Sequence, residues 1–215
     1  MRTAPLSGRT RCRATFETRA RSLGHQRVAG VDEVGRGALF GGVVAAAVVL
    51  PPDHKLPGLT DSKLLTPAQR EALAERIVKQ AVCWSIGSAD PFEIDELNIY
   101  QATRLAMTRA VVGLKPQADY LLIDAVRLDL PLPQESLIKG DARSRCIAAA
   151  SVLAKVHRDA CMTRWASIYP QYGLEQHKGY GTRQHLEALR QCGATPLHRT
   201  TFSPVQSVQQ SRFAL

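Results

Sequence analysis

Apolar residues fall along this chain in two rhythms. Between Val28 and Leu50 they form two nearly continuous runs, separated by an acidic pair and a glycine-rich turn (VAGVDEVGRGALFGGVVAAAVVL). Val-rich runs bounded by glycine read as buried strands. Gln26–Asp32 and Leu39–Leu50 are therefore expected to pair as an antiparallel hairpin through Gly35–Gly37. Cys83–Ser88, Tyr120–Ile123 and Glu135–Ile138 read as three further strands. Between them the rhythm lengthens to the helical period. Thr66 caps a helix with Pro67 at its first position, running to about Lys79 with Leu73, Ile77 and Val78 on its apolar face. Asp90-Pro91 opens another helical region the same way, continued by Leu97, Leu105, Met107 and Val111 to Gly113. Ala142–Tyr169 reads as one long helix whose small residues (Ala148, Ala149, Ala150, Ser151, Ala154) suit close packing on a sheet. Thr182–Gln191 is a last helix, closed by Gly193. Strands interleaved with helices predict an α/β fold with a mixed sheet, followed by mostly helical structure from about residue 160.

Length and charge narrow this picture. A chain of 215 residues fits one large domain, or one domain with a helical appendage. The net charge of +9 is uneven: residues 1–27 hold seven arginines and one acid (Glu17), leaving only +3 on the other 188 residues. An Arg-rich, acid-poor stretch of this kind reads as a disordered arm. It could touch nucleic acid, remain a solvated tail, or resemble an organelle transit peptide in composition. It has no apolar core of a secretory signal. Residues 206–215 read as a polar tail. Five cysteines without a C-x-x-C pair argue against a structural zinc or a disulfide framework and for a reducing, cytoplasmic setting. The longest uncharged run, Ala38–Pro52, has 15 residues, too few to span a bilayer.

The candidate chemistry lies in the acids. Asp32 and Glu33 close the first strand, Asp124 closes the strand YLLI, and Asp141 stands at the start of the long helix. Sites in open α/β sheets gather at the C-terminal edge of the strands, so these acids could converge there. Clustered carboxylates repel one another, and a hard divalent cation removes that cost. The same residues also fit duller roles: an acidic hairpin turn, a loop cap at Asp124, and an ordinary helix N-terminal acid at Asp141. Neighbours on a regular strand point to opposite faces. Asp32 and Glu33 are thus expected to share a site only if the strand bends at Val34-Gly35. The glycines at 35, 37 and 41 do not have dinucleotide-binding spacing.

With these residues in hand, the chain resembles the bacterial type 2 ribonucleases H, the ribonuclease HII family. The resemblance covers roughly Val28–Val205 and rests on an ordered set of segments. These are AGVDEVGRG (29–37), DSKLL (61–65), EIDELNI (93–99), LLIDA (121–125), KGD (139–141), AAASVLAKVHRD (148–159), QYGLEQHKGYGT (171–182) and HRTTFSPV (198–205). It implies an RNase H-like fold with a C-terminal helical extension, and one catalytic domain over residues 28–205. It implies that Asp32, Glu33, Asp124 and Asp141 bind Mg²⁺ or Mn²⁺ and carry catalysis. The activity implied is hydrolysis of the RNA strand in RNA–DNA hybrids and incision 5′ to single ribonucleotides in duplex DNA, leaving 5′-phosphate and 3′-hydroxyl ends. Gly35, Arg36 and Gly37 match the element that senses the ribose 2′-hydroxyl, and Tyr180 the tyrosine that packs beside the ribonucleotide. Ser62, Lys63, Lys139 and Lys155 are candidates for phosphate or active-site contacts. His177 and Arg158 lie in matching segments without an assigned role. No membrane contact and a monomer are expected. The segment after Asp124, AVRLDLPLPQ, departs from the more usual glycine-containing continuation.

Overall fold

Residues 14–213 are described in a computed structural model of the chain. The elements run α1 (Thr15–Ser22), β1 (Val28–Val34), β2 (Val43–Val49), α2 (Pro67–Gln80), β3 (Cys83–Ala89), α3 (Pro91–Leu97), α4 (Ile99–Val112), β4 (Tyr120–Asp124), β5 (Gln134–Leu137), α5 (Arg145–Ile168), α6 (Leu174–His177), α7 (Arg183–Cys192) and α8 (Ser203–Phe213). The sheet has five strands in the order β3-β2-β1-β4-β5. β2 is antiparallel to β1 and β3, whereas β4 is parallel to β1 and β5. The sheet is thus mixed, as expected, and β1 lies at its centre.

Both faces of the sheet are covered. Val31, Ala45 and Ile123 pack with Ala102, Ala106 and Met107 of α4 on one face. Ala46 and Val48 pack with Ala148, Ala149 and Val152 of α5 on the other, with Leu73 and Ile77 of α2. Thr66 caps α2 through a reciprocal capping box with Gln69, and Pro67 occupies its first turn. Val78, expected on the buried face, is 41% exposed. The region opened by Asp90-Pro91 is two helices rather than one. Asn98 takes a left-handed backbone (φ 69°) and accepts from Tyr100 N and Gln101 N, ending α3 and starting α4.

β4 and β5 are parallel neighbours joined by nine residues with no helix between them. Gln134 closes this connection on itself: its side chain accepts from Leu128 N and donates to Leu128 O. Val126 and Leu128 are buried in the core. Ala125, directly after Asp124, has φ 54°, a conformation that glycine holds without strain. The unusual segment therefore keeps a tight, anchored turn.

The N-terminal arm requires correction. Residues 1–13 lie outside the described residues, but Thr15–Ser22 is a helix docked on the domain. Phe16 and Ala20 pack against Val28, Leu122 and Ile147. Glu17 is 1% exposed, and its Oε1 accepts from Ser144 Oγ (2.7 Å) and Cys146 N (2.9 Å) at the start of α5. Arg21 donates to Leu50 O (2.9 Å), and Arg19 pairs with Glu135. The one acid of the arm thus caps the central helix from outside, where a carboxylate also complements the helix dipole. Glu17→Ala should cost about 2 kcal/mol in urea unfolding, the scale of hydrogen bonds to a buried charged group. The polar tail is likewise helical as far as Phe213.

The C-terminal helices enclose a chain of three histidines. His177 stacks on His185 at 4.6 Å. Thr195 N donates to His198 Nδ1, so His198 Nε2 carries the proton and faces His185 Nε2 at 3.2 Å. His185 Nδ1 then donates to Tyr180 O (3.0 Å). His185 and His198 are both neutral in this arrangement, and one added proton would set two donors against each other. Burial and the neighbouring His185 push His198 down to about 4, and burial lowers His185. The unfolded chain therefore takes up protons first. The stabilisation is complete above about pH 6.5 and is lost as pH falls toward 4, by up to about 3 kcal/mol for His198 at ~1.4 kcal/mol per unit. Urea midpoints should fall over this window, and His198→Asn should flatten the fall relative to wild type.

Candidate active site

The site forms where β1 and β4 part. Their parallel pairing ends at Val31–Ile123, while β1 stays paired with β2 through Val34–Val44. Beyond Val31 one edge of β1 is bare, so side chains from both its faces reach the same gap. Asp32 and Glu33 line one cavity of about 190 Å³ together with Asp124, Ser62, Lys63, Ser151, Lys155 and Tyr180. The expected turn at Val34-Gly35 is present, with Gly35 at φ 95°, and the missing neighbour strand beyond Val31 leaves both acids on one open edge.

Each acid is fixed by its own surroundings. Asp32 is 5% exposed. It accepts from Glu33 N (2.7 Å) and from the Ser151 hydroxyl, and burial with the charges of Glu33 and Asp124 raises its carboxyl well above the usual range. Glu33 is raised by burial and by Asp124 against the pull of Arg36, whose Nη1 lies 3.5 Å from Glu33 Oε1. Asp124 is raised by burial and by Asp141, and its Oδ1 accepts from Gly140 N at 2.7 Å. A Cβ on Gly140 would stand 2.6 Å from Ile147 Cδ1 and 3.2 Å from Asp124 Oδ1, which gives the glycine of KGD a packing reason.

Asp141 does not open the long helix. It sits in a separate 3-10 turn, Gly140–Ala142, and Ser144 is the true N-cap of α5. Asp141 is 6% exposed and joins the cluster through Lys63, whose Nζ is 3.5 Å from its Oδ2. Burial pulls the Lys63 ammonium down, but Asp141, Asp61 and Asp32 outweigh it and hold it above its ordinary value. Lys155 pairs with Asp159 at 2.8 Å. Lys139 is exposed, with φ 55°, and does not line the cavity.

Gly35–Gly37 lies beside the cavity, tied to it by Arg36 and Glu33. Tyr180 joins this loop through a bridge to Ala38, with the Arg158 guanidinium 5.5 Å from its ring centroid. The sequence reading placed Ser151 only on a packing face. It is a site residue, since Ser62 Oγ and Ser151 Oγ are 3.0 Å apart and Ser151 also bonds Asp32. Its helical spacing of four from Lys155 was the available signal.

Among the described residues, no three His, Cys, Asp or Glu side chains are assembled as a ready ligand set for one ion. The donor chemistry nevertheless suits a hard divalent cation. The donors are carboxylate oxygens: Asp124 raises both Asp32 and Glu33, and Asp141 raises Asp124, a repulsion that positive charge relieves.

The sequence model of the family described as Ribonuclease HII matches residues 29–205. A Ribonuclease HII of Solibacter usitatus (strain Ellin6076) is 54% identical over 215 residues, covering 100% of this chain and 93% of that protein. The crystal structure of ribonuclease H2 from Pyrococcus horikoshii OT3 superimposes with a TM-score of 0.75 at 27% identity, covering 87% of this chain and 99% of that one. Bst-RNase HIII in complex with Mn²⁺ shares the fold, with a TM-score of 0.67 at 19% identity over 91% of this chain and 73% of that one.

Proposed function

This chain belongs to the ribonuclease HII family, and from that premise we propose that it cleaves the RNA strand of RNA–DNA hybrids and incises 5′ to single ribonucleotides in duplex DNA. The proposed products are 5′-phosphate and 3′-hydroxyl ends, and the proposed setting is a monomer in the cytoplasm. Among the described residues no helix is long and apolar enough to cross a membrane.

The observation that carries the reading is one cavity holding Asp32, Glu33 and Asp124 beside Lys63, Lys155 and Tyr180, flanked by the Gly-Arg-Gly turn. Asp32, Glu33, Asp124 and Asp141 would hold Mg²⁺ or Mn²⁺. Two such cations, when bound, would supply an activated water and charge stabilisation on the attacking and leaving oxygens. Ser151 orients Asp32, and Lys63 holds Asp141 near the cluster. Lys155 places a cation at the cavity wall, where it complements a phosphodiester. The Gly35–Gly37 backbone, beside the cavity, would contact a 2′-hydroxyl, the group that tells RNA from DNA. Tyr180 offers a ring on which the nucleotide can pack.

The direct test is cleavage of a hybrid after metal is stripped with EDTA and returned as Mg²⁺ or Mn²⁺. Activity should vanish and return. Cleavage persisting at full rate in EDTA would overturn the metal assignment.

A further inference from the structure

Two arginines, Arg158 and Arg199, are each 0% exposed and, among the described residues, pair with no carboxylate. A buried cation is costly unless its donors are satisfied, and here backbone carbonyls satisfy them. Arg158 donates to Gly42 O (3.3 Å), Lys178 O (2.8 Å) and Phe40 O (3.1 Å). Arg199 donates from Nε to Gly41 O (2.9 Å), from Nη1 to Arg36 O (2.7 Å) and from Nη2 to Gly35 O (2.7 Å). Burial pushes Arg199 down to about 9, which leaves it charged at neutral pH.

The consequence follows from peptide geometry. The only cis peptide among the described residues is Lys115–Pro116, so the Gly35–Arg36 and Arg36–Gly37 peptides are trans. In a trans peptide the C=O and the next N–H point in opposite directions across one plane. A guanidinium that draws the carbonyls of Gly35 and Arg36 inward therefore turns the N–H groups of Arg36 and Gly37 outward. Among the described residues neither N–H has a protein acceptor. The glycines divide the work. A Cβ on Gly35 would meet Arg158 Nε at 2.2 Å, whereas one on Gly37 would meet nothing within 4 Å. Gly37 thus has no packing duty in the free protein, and its bareness serves whatever approaches from outside.

We propose that Arg199 is a positioning residue for ribose discrimination: its fork on the Gly35 and Arg36 carbonyls presents the Arg36 and Gly37 N–H groups to the 2′-hydroxyl, with Arg158 filling the space behind Gly35. This rests on the reading of Gly35–Gly37 as the ribose-sensing turn. Lysine keeps the charge but presents its donors from one point, without the rigid planar fork that spaces these three carbonyls.

The test is binding in EDTA, by fluorescence anisotropy, of a duplex with one central ribonucleotide and of the all-DNA duplex. Wild type should prefer the ribonucleotide duplex about tenfold, the scale of one or two hydrogen bonds. Arg199→Lys should reduce the preference to within about twofold while all-DNA affinity holds within about twofold. Gly37→Ala, with no clash in the free protein, should also lose the preference. If Gly37→Ala loses it and a folded Arg199→Lys keeps it, the role of Arg199 is wrong and the sensing turn stands. If wild type shows no preference, or Gly37→Ala keeps it, the sensing reading itself fails and this inference with it. Should Arg199→Lys not fold, Arg199→Gln, which keeps a planar donor but not the fork, is measured the same way for the role of Arg199, and hydrogen exchange on wild type tests the turn beneath it. The Arg36 and Gly37 amides should be protected by the ribonucleotide duplex and not by all-DNA, and equal protection by both would overturn the proposal.

Discussion

Asp124→Asn should lose at least about a thousandfold in the rate of hybrid cleavage while remaining folded. The substitution isolates charge. Asparagine keeps an oxygen that can accept from Gly140 N, the 2.7 Å bond that fixes Asp124 in place, so the turn before α5 retains its anchor. What disappears is the carboxylate whose charge raises both Asp32 and Glu33. A thousandfold is about 4 kcal/mol of transition-state stabilisation, the scale expected of a disabled metal site. The variant should also melt no lower than wild type in EDTA, because repulsion has been relieved. Added Mn²⁺ should stabilise wild type by its binding linkage and the variant far less. Full activity with a retained Mn²⁺ shift would remove Asp124 from the site.

The second large effect is on folding. Gly30→Ala should cost more than about 4 kcal/mol, enough to leave a marginally stable domain largely unfolded. A Cβ on Gly30 would lie 2.0 Å from Cys146 C and 2.2 Å from Ile147 N. These are backbone atoms of the first turn of α5, and no side chain can rotate away. The helix would have to withdraw from the sheet. Ser151 and Lys155 would move with it relative to Asp32, and displacements of about 1 Å in a site can cost a hundredfold in rate. A Gly30→Ala protein with a wild-type urea midpoint would mean that β1 and α5 do not cross as closely as described.

Local chemistry explains what could be read from the chain beforehand. Thr66-Pro67 and Asp90-Pro91 announce their helices through caps that satisfy orphan N–H groups at once, and such signals survive in sequence. The β1–β2 pairing was legible because two apolar runs flank one turn. The resemblance names Asp32, Glu33, Asp124 and Asp141; the fold brings the first three to one cavity, and Asp141 stands outside its lining, paired with Lys63.

Long-range partnerships were not legible. Glu17 read as the lone acid of a solvated arm because its partners, Ser144 and Cys146, are more than 120 residues away. Arg158 lies in a matching segment without an assigned role and Arg199 draws no notice, since nothing near them in sequence reveals that their donors meet the carbonyls of residues 35–42. Gly30 is one glycine in a run, and its necessity exists only where α5 crosses. The joint approach of Asp32 and Glu33 was expected to need a bend, because strand alternation is a local rule. The turn at Gly35 meets that expectation, and the end of β4 adds an open edge that strand alternation does not show.

The measurement that bears most directly on the central claim is incision of a DNA duplex carrying one ribonucleotide, against the identical all-DNA duplex, in Mg²⁺ and in Mn²⁺. The account predicts a single cut on the 5′ side of the ribonucleotide, leaving 5′-phosphate and 3′-hydroxyl ends, and no cut in the all-DNA control. Equal cutting of both duplexes, or none of either by a folded protein with both metals, would contradict it.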